Sequence, residues 1–337
     1  MRRTYDNGSA HARTAAQRGL SLIELLVACA VALLVLGAVA FMFGGTTGNR
    51  LDVERTGRLT ENAAYALEML SEELHVAGYF AETKLVGMAW QVPNPCNTAI
   101  GTLGFQTAPF TLPVAIAGYR PADAEPACIS NRKPGTAAVS IRRLDVATTA
   151  AASATAAPFW QISSCALDAA PQLAYSNVPA AFTMRKIDCA AVADTHRVIV
   201  RTYYIAACNE CGVDTIPTLK RAELVGDAIV VTPLVEGIED LQVEYGFDTD
   251  NDGNADIYRD TLSGVAGAAD NNWWNVVAVR MYVLGRSTDV TPGYVDSAKR
   301  FYMGPAGYTN VANDGFKRVQ LAALVRLNNP AGLRERP

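Results

Sequence analysis

Histidine is scarce in this sequence of 337 residues, which contains only His11, His75 and His196. The chain also lacks the G-x-S-x-G, P-loop and H-E-x-x-H motifs of common hydrolase, nucleotide and zinc sites. No histidine stands in a recognisable nucleophile or metal-ligand arrangement, and we interpret His196 as a turn residue. We therefore predict that the protein is not an enzyme. A membrane-tethered periplasmic hydrolase is an alternative that requires an activity these absences argue against.

Charged residues are also few, at 18% of the chain, and the formal net charge is −4. Nothing in the sequence forms the basic cluster that is typical of nucleic-acid binding, so we expect no nucleic-acid partner. Hydrophobic residues make up 50% of the chain. That content is sufficient for one sizeable folded domain together with a membrane anchor.

A long uncharged run lies near the N-terminus, where Leu25 to Phe43 are 19 consecutive apolar residues if Gly37 is counted. A helix rises about 1.5 Å per residue, so this run nearly spans a hydrocarbon core of about 30 Å. Four arginines and one acid precede it, which predicts a cytoplasmic N-terminus and a periplasmic remainder. A cleaved secretory signal and a plain anchor are alternatives. The run is too long for the first, and neither explains the acid Glu24.

The run begins within Gly19-Leu20-Ser21-Leu22-Ile23-Glu24-Leu25-Leu26-Val27, which resembles the type IV pilin signal. In that family a prepilin peptidase cuts after the glycine and methylates the new N-terminus. The resemblance implies cleavage between Gly19 and Leu20, so that Glu24 becomes the fifth mature residue. Leu20 departs from the usual phenylalanine, although the family accepts other apolar residues.

A physical argument supports a role for Glu24 in subunit assembly. A carboxylate costs about 2.5–3.5 kcal/mol at the centre of a membrane helix and less near its end. The new ammonium at Leu20 and the carboxylate of Glu24 are both costly in an apolar environment, and pairing between neighbouring subunits offsets much of that cost. The resemblance implies that this pair sets the register as a subunit enters the filament. The alternative is that Glu24 only reaches to the lipid headgroups.

We predict four segments: a cytoplasmic leader (1–19), the transmembrane half of a long helix (20–43), its amphipathic half (44–80) and a β-rich periplasmic head (81–337). The whole chain has 29 basic and 33 acidic residues, and the leader holds four basic and one acidic, so 25 basic and 32 acidic residues remain.

The glycines at 44, 45 and 48 predict a weak point in the helix. Beyond them, apolar residues at spacings of three and four predict one packed face: Leu59, Ala63, Leu67, Leu70, Leu74 and Ala77. We expect the charged residues Arg55, Arg58, Glu61, Glu68, Glu72 and Glu73 on the opposite side.

The second half of the chain predicts strands at 138–146, 197–206, 219–225, 229–232, 241–247, 276–284 and 319–327. Alternation within 276–284, with Val277, Val279, Met281 and Val283 inward, predicts an antiparallel sheet with one buried face. Residues 81–136 predict a long connection, and 148–157 an exposed loop. The fold class is therefore α+β, with a long N-terminal helix packed on an antiparallel sheet, as in the type IV pilin fold.

Seven cysteines occur, of which Cys29 lies in the membrane run and is expected to stay reduced. The other six predict three disulfides, for which 15 connectivities are possible. Our interpretation pairs nearest neighbours in sequence: Cys96–Cys128, Cys165–Cys189 and Cys208–Cys211. The C-x-x-C spacing of the last pair also occurs in zinc sites and thioredoxin-like redox motifs. No second metal-ligand pair or βαβ context accompanies it here.

An acidic loop gives the best local signal for a ligand, because its start resembles the D-x-D-x-D-G start of a calcium loop. The expected structural calcium ligands are Asp248, Asp250 and Asp252, the backbone carbonyl of Asn254, and Asp256, with Asp260 as a late substitute. Arg259 stands where an EF-hand has its bidentate glutamate, and strands are predicted on both sides, so a true EF-hand is not expected. The alternative is a solvated acidic turn.

The sequence around that loop extends the family resemblance. Leu234-Val-Glu-Gly-Ile-Glu-Asp-Leu-Gln-Val-Glu-Tyr-Gly246 and the acidic loop after it resemble the PilW family of minor pilins, as do Ala77-Gly78-Tyr79 and Phe316-Lys317-Arg318-Val319. The resemblance implies a subunit that waits in the inner membrane, joins other minor pilins and the major pilin at the assembly platform, and primes the filament. It also implies a place at or near the tip of a surface pilus, beneath a PilY-type adhesin, with roles in twitching motility and cell adhesion. A J-type minor pseudopilin of type II secretion is the alternative.

Overall fold

The structure, a computed structural model, describes residues 21–85, 88–262, 272–295, 299–310 and 314–335. The chain divides into two units, residues 1–54 and 55–337. Helix α1 (Leu22–His75) begins in the first unit and ends in the second. The leader and the predicted cleavage position, Gly19 and Leu20, lie outside the described residues.

Helix α1 is continuous over 54 residues, like the long helix predicted from the sequence, and it runs through the glycines at 44, 45 and 48 that were expected to be its weak point. A glycine costs only about 1 kcal/mol relative to alanine in a helix, and propagation from existing turns is cooperative. The helix ends at His75, and Gly78 follows in a left-handed conformation with φ of +70°. A Cβ at Gly78 would lie 2.8 Å from the Cβ of Ala115, so the turn requires glycine both for its backbone and for this close approach.

The described part of the head contains the following strands and one short helix. The strands are β1 (Ala89–Gln91), β2 (Gln106–Thr107), β3 (Phe110–Pro113), β4 (Ile116–Tyr119), β5 (Ala138–Thr149), β6 (Phe159–Ile162), β7 (Leu173–Ser176), β8 (Thr195–Ala206), β9 (Thr218–Val225), β10 (Ala228–Glu236), β11 (Ile238–Phe247), β12 (Ile257–Arg259), β13 (Val276–Arg286), β14 (Arg300–Tyr302), β15 (Tyr308–Asn310) and β16 (Arg318–Arg326). Helix α2 (Asn328–Gly332) follows β16. The α+β class predicted from the sequence is confirmed.

Two antiparallel sheets stand where the sequence predicted one. The larger has the order β10-β9-β8-β5-β4, with β6 and β7 added at one end of β8, and the smaller has the order β12-β11-β13-β16. Backbone hydrogen bonds join the two, from Ala137 N to Leu241 O (2.8 Å) and from Ile238 N to Pro217 O (3.0 Å). Both sheets therefore contribute to one layer of the head. A small β1-β3-β2 sheet and the β14–β15 hairpin complete the strand pairing of the described residues.

The main core lies between the second half of α1 and both sheets. Ala66, Leu70 and Leu74 pack there against residues such as Ile141 of β5 and Val279 of β13. The predicted helix face is thus buried, although Leu67 is only half-buried and Ala66, which was not predicted, is fully buried. Glu73 was expected in solvent, but its side chain is 15% exposed and pairs with two arginines.

Strand β13 is buried on both faces, so the prediction of a single buried face is wrong. Val279, Met281 and Val283 face the main core, whereas Tyr282 and Leu284 pack with Met303 on the other side. The segment that contains β14 and β15 supplies this second cover. Continuous apolar stretches are typical of strands covered on both sides.

Three further expectations are corrected by the structure. Residues 88–136 contain four strands rather than only a long connection, although the Cys96–Cys128 disulfide lies there as expected. Strand β5 runs to Thr149, inside the predicted loop at 148–157. His196 is a buried residue of β8 and not a turn residue, with its Nδ1 atom 2.8 Å from the carbonyl oxygen of Asp145.

Candidate functional site

The first half of α1 presents apolar side chains on every side. Leu22–Phe43 is a 22-residue segment with a mean hydropathy of 2.9, long and apolar enough to cross a membrane, and none of it is buried within the protein. Side chains such as Leu34 and Phe41 are 75% and 85% exposed. Apolar surface of this extent is stable only against lipid or against the apolar surfaces of other proteins.

Glu24 lies in the first turn of this helix and is the only charged residue of Leu22–Phe43. Its Oε2 atom accepts a hydrogen bond from the backbone N–H of Ser21 (3.1 Å), and its own N–H donates to Ser21 Oγ (3.4 Å). This reciprocal pair is a capping box, which satisfies two backbone donors at the helix start. The Ser-x-x-Glu spacing could have predicted it. The carboxylate is thus held at the first turn, where it is exposed for a further cationic partner.

The acidic loop joins β11 to β12 and brings together three of the five predicted calcium ligands. Carboxylate oxygens of Asp248, Asp250 and Asp256 lie within 4.8 Å of one another. Burial raises the pKa of Asp250, and the negative charges of its neighbours raise it further. Asp256 has a lowered pKa, because the N–H and hydroxyl of Thr249 donate to its carboxylate. The cluster therefore concentrates negative charge that a cation would neutralise.

Asp248 already has a cationic partner within the protein. Its Oδ2 atom lies 3.1 Å from Arg334 Nη1, and its carboxylate accepts the N–H groups of Asn251 and Gly253. Burial acts to raise the pKa of Asp248, but these hydrogen bonds and the guanidinium hold the pKa below its usual range. The three residues are thus only partly suited to bind a cation, because Arg334 already pairs with Asp248. The exposed carboxylates of Asp250 and Asp256 form no ion pair among the described residues.

The other predicted carboxylate ligands, Asp252 and Asp260, do not join this group. The carboxylate of Asp252 accepts hydrogen bonds from the N–H (2.7 Å) and side-chain amide (3.2 Å) of Asn254. Asp260 lies instead beside Tyr119, Arg120 and Asp123, around a separate open cavity. A cation held by the observed cluster would therefore use Asp248, Asp250 and Asp256.

The structure contains the disulfides Cys96–Cys128, Cys165–Cys189 and Cys208–Cys211. Their Cα–Cα distances of 5.2, 5.0 and 5.0 Å lie in the usual range. The pairs are nearest neighbours in sequence, and Cys29 is a free, exposed cysteine of α1.

An aromatic stack, which the sequence analysis did not predict, lies against Arg334. The guanidinium lies 4.2 Å from the ring centroid of Trp274, and that ring stacks on Trp90 at 6.0 Å. Trp273 packs edge-on against Tyr245 at 4.7 Å. Trp273 is half-buried and anchors this segment, whereas Trp274 remains 37% exposed.

Comparisons with known proteins agree with this geometry. A family model described as a prokaryotic N-terminal methylation motif matches residues 14–40. A second, described as type IV pilus-assembly protein W, or PilW, matches residues 202–329. Among solved structures, a type IV-like pilin from Thermus thermophilus matches with a TM-score of 0.37 and 13% identity, over 81% of this chain and 98% of that chain. No protein of curated function matches the chain.

A methylation-type signal at the start of an apolar helix, followed by a β-rich head, defines a protein of the type IV pilin class. Within that class, the PilW match from within β8 to the start of α2 and the methylation motif together support a PilW-like minor pilin. The family resemblance predicted from the sequence is confirmed. Proteins of this class are structural components, and the N-terminal helix fits a membrane-anchored pilin.

Proposed function

We propose that this PilW-like minor pilin primes type IV pilus assembly and is incorporated at or near the pilus tip. The observation that carries the proposal is the exposed apolar segment Leu22–Phe43 with one acid, Glu24, in its first turn. Before assembly the segment lies in the inner membrane, with the head in the periplasm. During assembly it leaves lipid and packs against the helices of other minor pilins and the major pilin.

Glu24 supplies the electrostatic part of this mechanism. Prepilin peptidase cuts between Gly19 and Leu20 and leaves a methylated ammonium at Leu20. In the assembled bundle, the Glu24 carboxylate of one subunit pairs with the ammonium of a neighbour. An unpaired charge in an apolar environment is costly, so only the register that pairs the two charges is stable. Mass spectrometry of the mature chain should find an N-methylated Leu20 at its N-terminus.

The head is proposed to support a PilY-type adhesin at the tip. Three disulfides and a large second unit, residues 55–337, are consistent with a specialised subunit rather than a repeated shaft subunit. Cross-linking from the head in intact pili tests this part. Cross-links to an adhesin are expected, whereas cross-links to shaft subunits on both sides of the head would place it within the filament.

A deletion strain complemented with wild-type, Glu24→Ala or Glu61→Ala chains tests the priming role. Glu61 is an exposed acid on the same helix beyond the apolar segment, so it is a matched control. We expect the deletion and Glu24→Ala strains to lose surface pili and twitching, and Glu61→Ala to restore both. Immunoblotting must show equal amounts of processed protein. Normal piliation in the deletion strain would rule out priming, and a secretion defect with normal pili would favour the pseudopilin alternative.

A further inference from the structure

The Cys208–Cys211 disulfide lies in the loop between β8 and β9, and its two residues differ in exposure. Cys208 is 7% exposed, whereas Cys211 is an exposed residue of the loop. The more exposed residue, Cys211, is therefore the side of the disulfide that a thiolate from solution would approach. Attack on the accessible sulfur is the first step of thiol–disulfide exchange.

A buried lysine points at the accessible sulfur. Lys220 of β9 is 8% exposed, and its Nζ donates to the carbonyl of Asn209 (2.8 Å) and lies 3.7 Å from Cys211 Sγ. No carboxylate of the described residues lies within ion-pair distance of this ammonium. A buried cation is costly unless it has an anionic partner. A thiolate at Cys211 would provide that partner, and it exists only when the disulfide is open.

The other charged groups around the loop make their hydrogen bonds to groups other than Lys220. Asp214 accepts the N–H groups of Asn209, Glu210 and Ile216 at 2.7–2.9 Å, and these bonds together with the nearby charge of Lys220 lower the pKa of Asp214. Glu236 of β10 accepts from the side-chain amide of Asn209 at 2.7 Å, and Glu210 is exposed. Lys220 is thus the one charged group of the described residues in contact with Cys211 Sγ.

The length of the closed loop points in the same direction. Cys208 and Cys211 are three residues apart, against separations of 32 and 24 for the other two disulfides. In the chain-entropy account, a disulfide restricts the unfolded chain less when its loop is shorter. This disulfide therefore contributes the least to stability, and its opening costs the fold the least.

We propose that Cys208–Cys211 is an exchangeable disulfide whose open form is stabilised by Lys220 as the partner of a Cys211 thiolate. A thiolate of a dithiol attacks Cys211 Sγ, the S–S bond breaks, and the electron pair leaves on Cys208 Sγ, which takes up a proton. The second thiolate of the dithiol then attacks the dithiol sulfur that is bonded to Cys211 in the mixed disulfide. This releases Cys211 as a thiolate beside Lys220. The dithiol is oxidised to a disulfide, this pair is reduced by two electrons, and the remaining proton goes to solvent.

Redox titration of the full chain in detergent with reduced and oxidised dithiothreitol tests the proposal. Free thiols are alkylated after equilibration, and each cysteine pair is quantified by peptide mass spectrometry. We expect Cys208–Cys211 to open at a ratio of reduced to oxidised reagent at least tenfold lower than the other two pairs require. Lys220→Met should lower its equilibrium constant for reduction about tenfold, which corresponds to about 30 mV for a two-electron couple. Simultaneous opening of all three pairs would overturn the proposal.

Lys186→Met is a matched control, because Lys186 lies near the Cys165–Cys189 disulfide but contacts the carboxylate of Asp194 at 3.0 Å rather than a sulfur. It should leave the equilibrium of every pair unchanged. An equal effect of both lysine variants on Cys208–Cys211 would contradict the assigned role of Lys220.

The pH profile of alkylation provides a second measurement that does not depend on the Lys220→Met variant folding. In Cys208→Ser, the rate of alkylation of Cys211 should rise with a midpoint below the ordinary thiol pKa of about 8.5. Lys220→Arg in the same background should keep a lowered midpoint, and Lys220→Met should return it to about 8.5. A midpoint at or above 8.5 with Lys220 present would overturn the proposal.

Discussion

Glu73 on α1 forms an ion pair with Arg201 on β8, so the carboxylate of the helix is fixed on the sheet beneath it. The same Oε1 atom lies 3.4 Å from Arg143 Nη2 of β5. Arg201 also contacts Glu223 of β9 at 2.9 Å. The side chains of all four residues are 10–15% exposed. One helix and three adjacent strands are therefore joined by a chain of alternating charges, in which Arg143 pairs with Glu73 and Arg201 is shared between Glu73 and Glu223.

We expect Glu73→Gln to destabilise the head by about 3 kcal/mol, because it leaves the largely buried guanidinium of Arg143 without its carboxylate partner and leaves Arg201 with Glu223 alone. Urea unfolding followed by circular dichroism measures the change. Glu72→Gln is the control, since Glu72 is exposed on the adjacent position of the helix and should change the free energy of unfolding by less than about 0.5 kcal/mol. Equal effects of the two variants would show that the network contributes no more than a surface charge.

Gly118 of β4 provides a second contact that is sensitive to substitution. A Cβ built there would lie 2.1 Å from the hydroxyl oxygen of Tyr245 on β11, which is a fully buried side chain. We expect Gly118→Ala to destabilise the head by about 3 kcal/mol, because the tyrosine cannot move without disturbing the core. Thermal unfolding measures the loss as a lower Tm.

Gly101→Ala is the control for the Gly118 prediction. Gly101 lies in a short turn of 3-10 helix, and nothing lies within 4 Å of a Cβ at that position. It should keep the Tm of the wild type or raise it slightly. A Gly118→Ala variant as stable as Gly101→Ala would mean that β4 can separate from β11 without cost.

Sequence patterns predicted the strands of the second half well, because their signal is local. The predicted span at 197–206 corresponds to β8, and that at 276–284 to β13, with ends extended by two residues or fewer. Alternation and β-branched residues within a single segment are sufficient for such an assignment. The short strands of residues 88–119 have two to four residues each, too few to show a period.

Charged residues were harder to place, because their partners are distant in sequence. Glu73 and Arg201 are 128 residues apart, and helix periodicity alone assigned Glu73 to solvent. Asp248 was read as a calcium ligand from its loop, but the loop does not indicate that Arg334, 86 residues later, occupies its carboxylate. The assembly motif at Gly19 to Glu24 could be read directly, because all of its residues are consecutive. Ion pairs between distant segments require the fold.

Asp240 should make the stability of the head depend on pH. Burial raises its pKa to about 6, against about 3.9 in an unfolded chain, although Gln242 donates a hydrogen bond to its Oδ1 atom. The folded state thus binds the proton more tightly. Ionisation of Asp240 therefore lowers the free energy of unfolding. This loss of stability is absent below about pH 4, grows between pH 4 and 6, and reaches about 3 kcal/mol above pH 6.

We expect Asp240→Asn to remove this penalty, because the amide cannot ionise and its oxygen can still accept from Gln242. The free energy of unfolding, measured with urea from pH 4.5 to 7.5, should be up to about 3 kcal/mol higher than in wild type at pH 7, and the difference should fall to about 1 kcal/mol at pH 4.5. Asp227→Asn, at an exposed turn position, is the control. A difference between wild type and Asp240→Asn that stays constant across this pH range would contradict the assignment to Asp240.

Calcium should stabilise the head through the cluster of Asp248, Asp250 and Asp256. With a Kd of about 1 mM, typical of extracellular calcium modules, 10 mM calcium would contribute about 1.4 kcal/mol and raise the Tm by about 3 °C. Asp250→Asn should abolish this rise. Asp252→Asn should retain it, since the Asp252 carboxylate hydrogen-bonds Asn254 instead of joining the cluster. Asp248 is unsuitable as a test position because its substitution would also leave the guanidinium of Arg334 unpaired. Loss of the calcium response in both variants would favour the ligand set predicted from the sequence, and an unchanged Tm in the wild type would identify the loop as a solvated acidic turn.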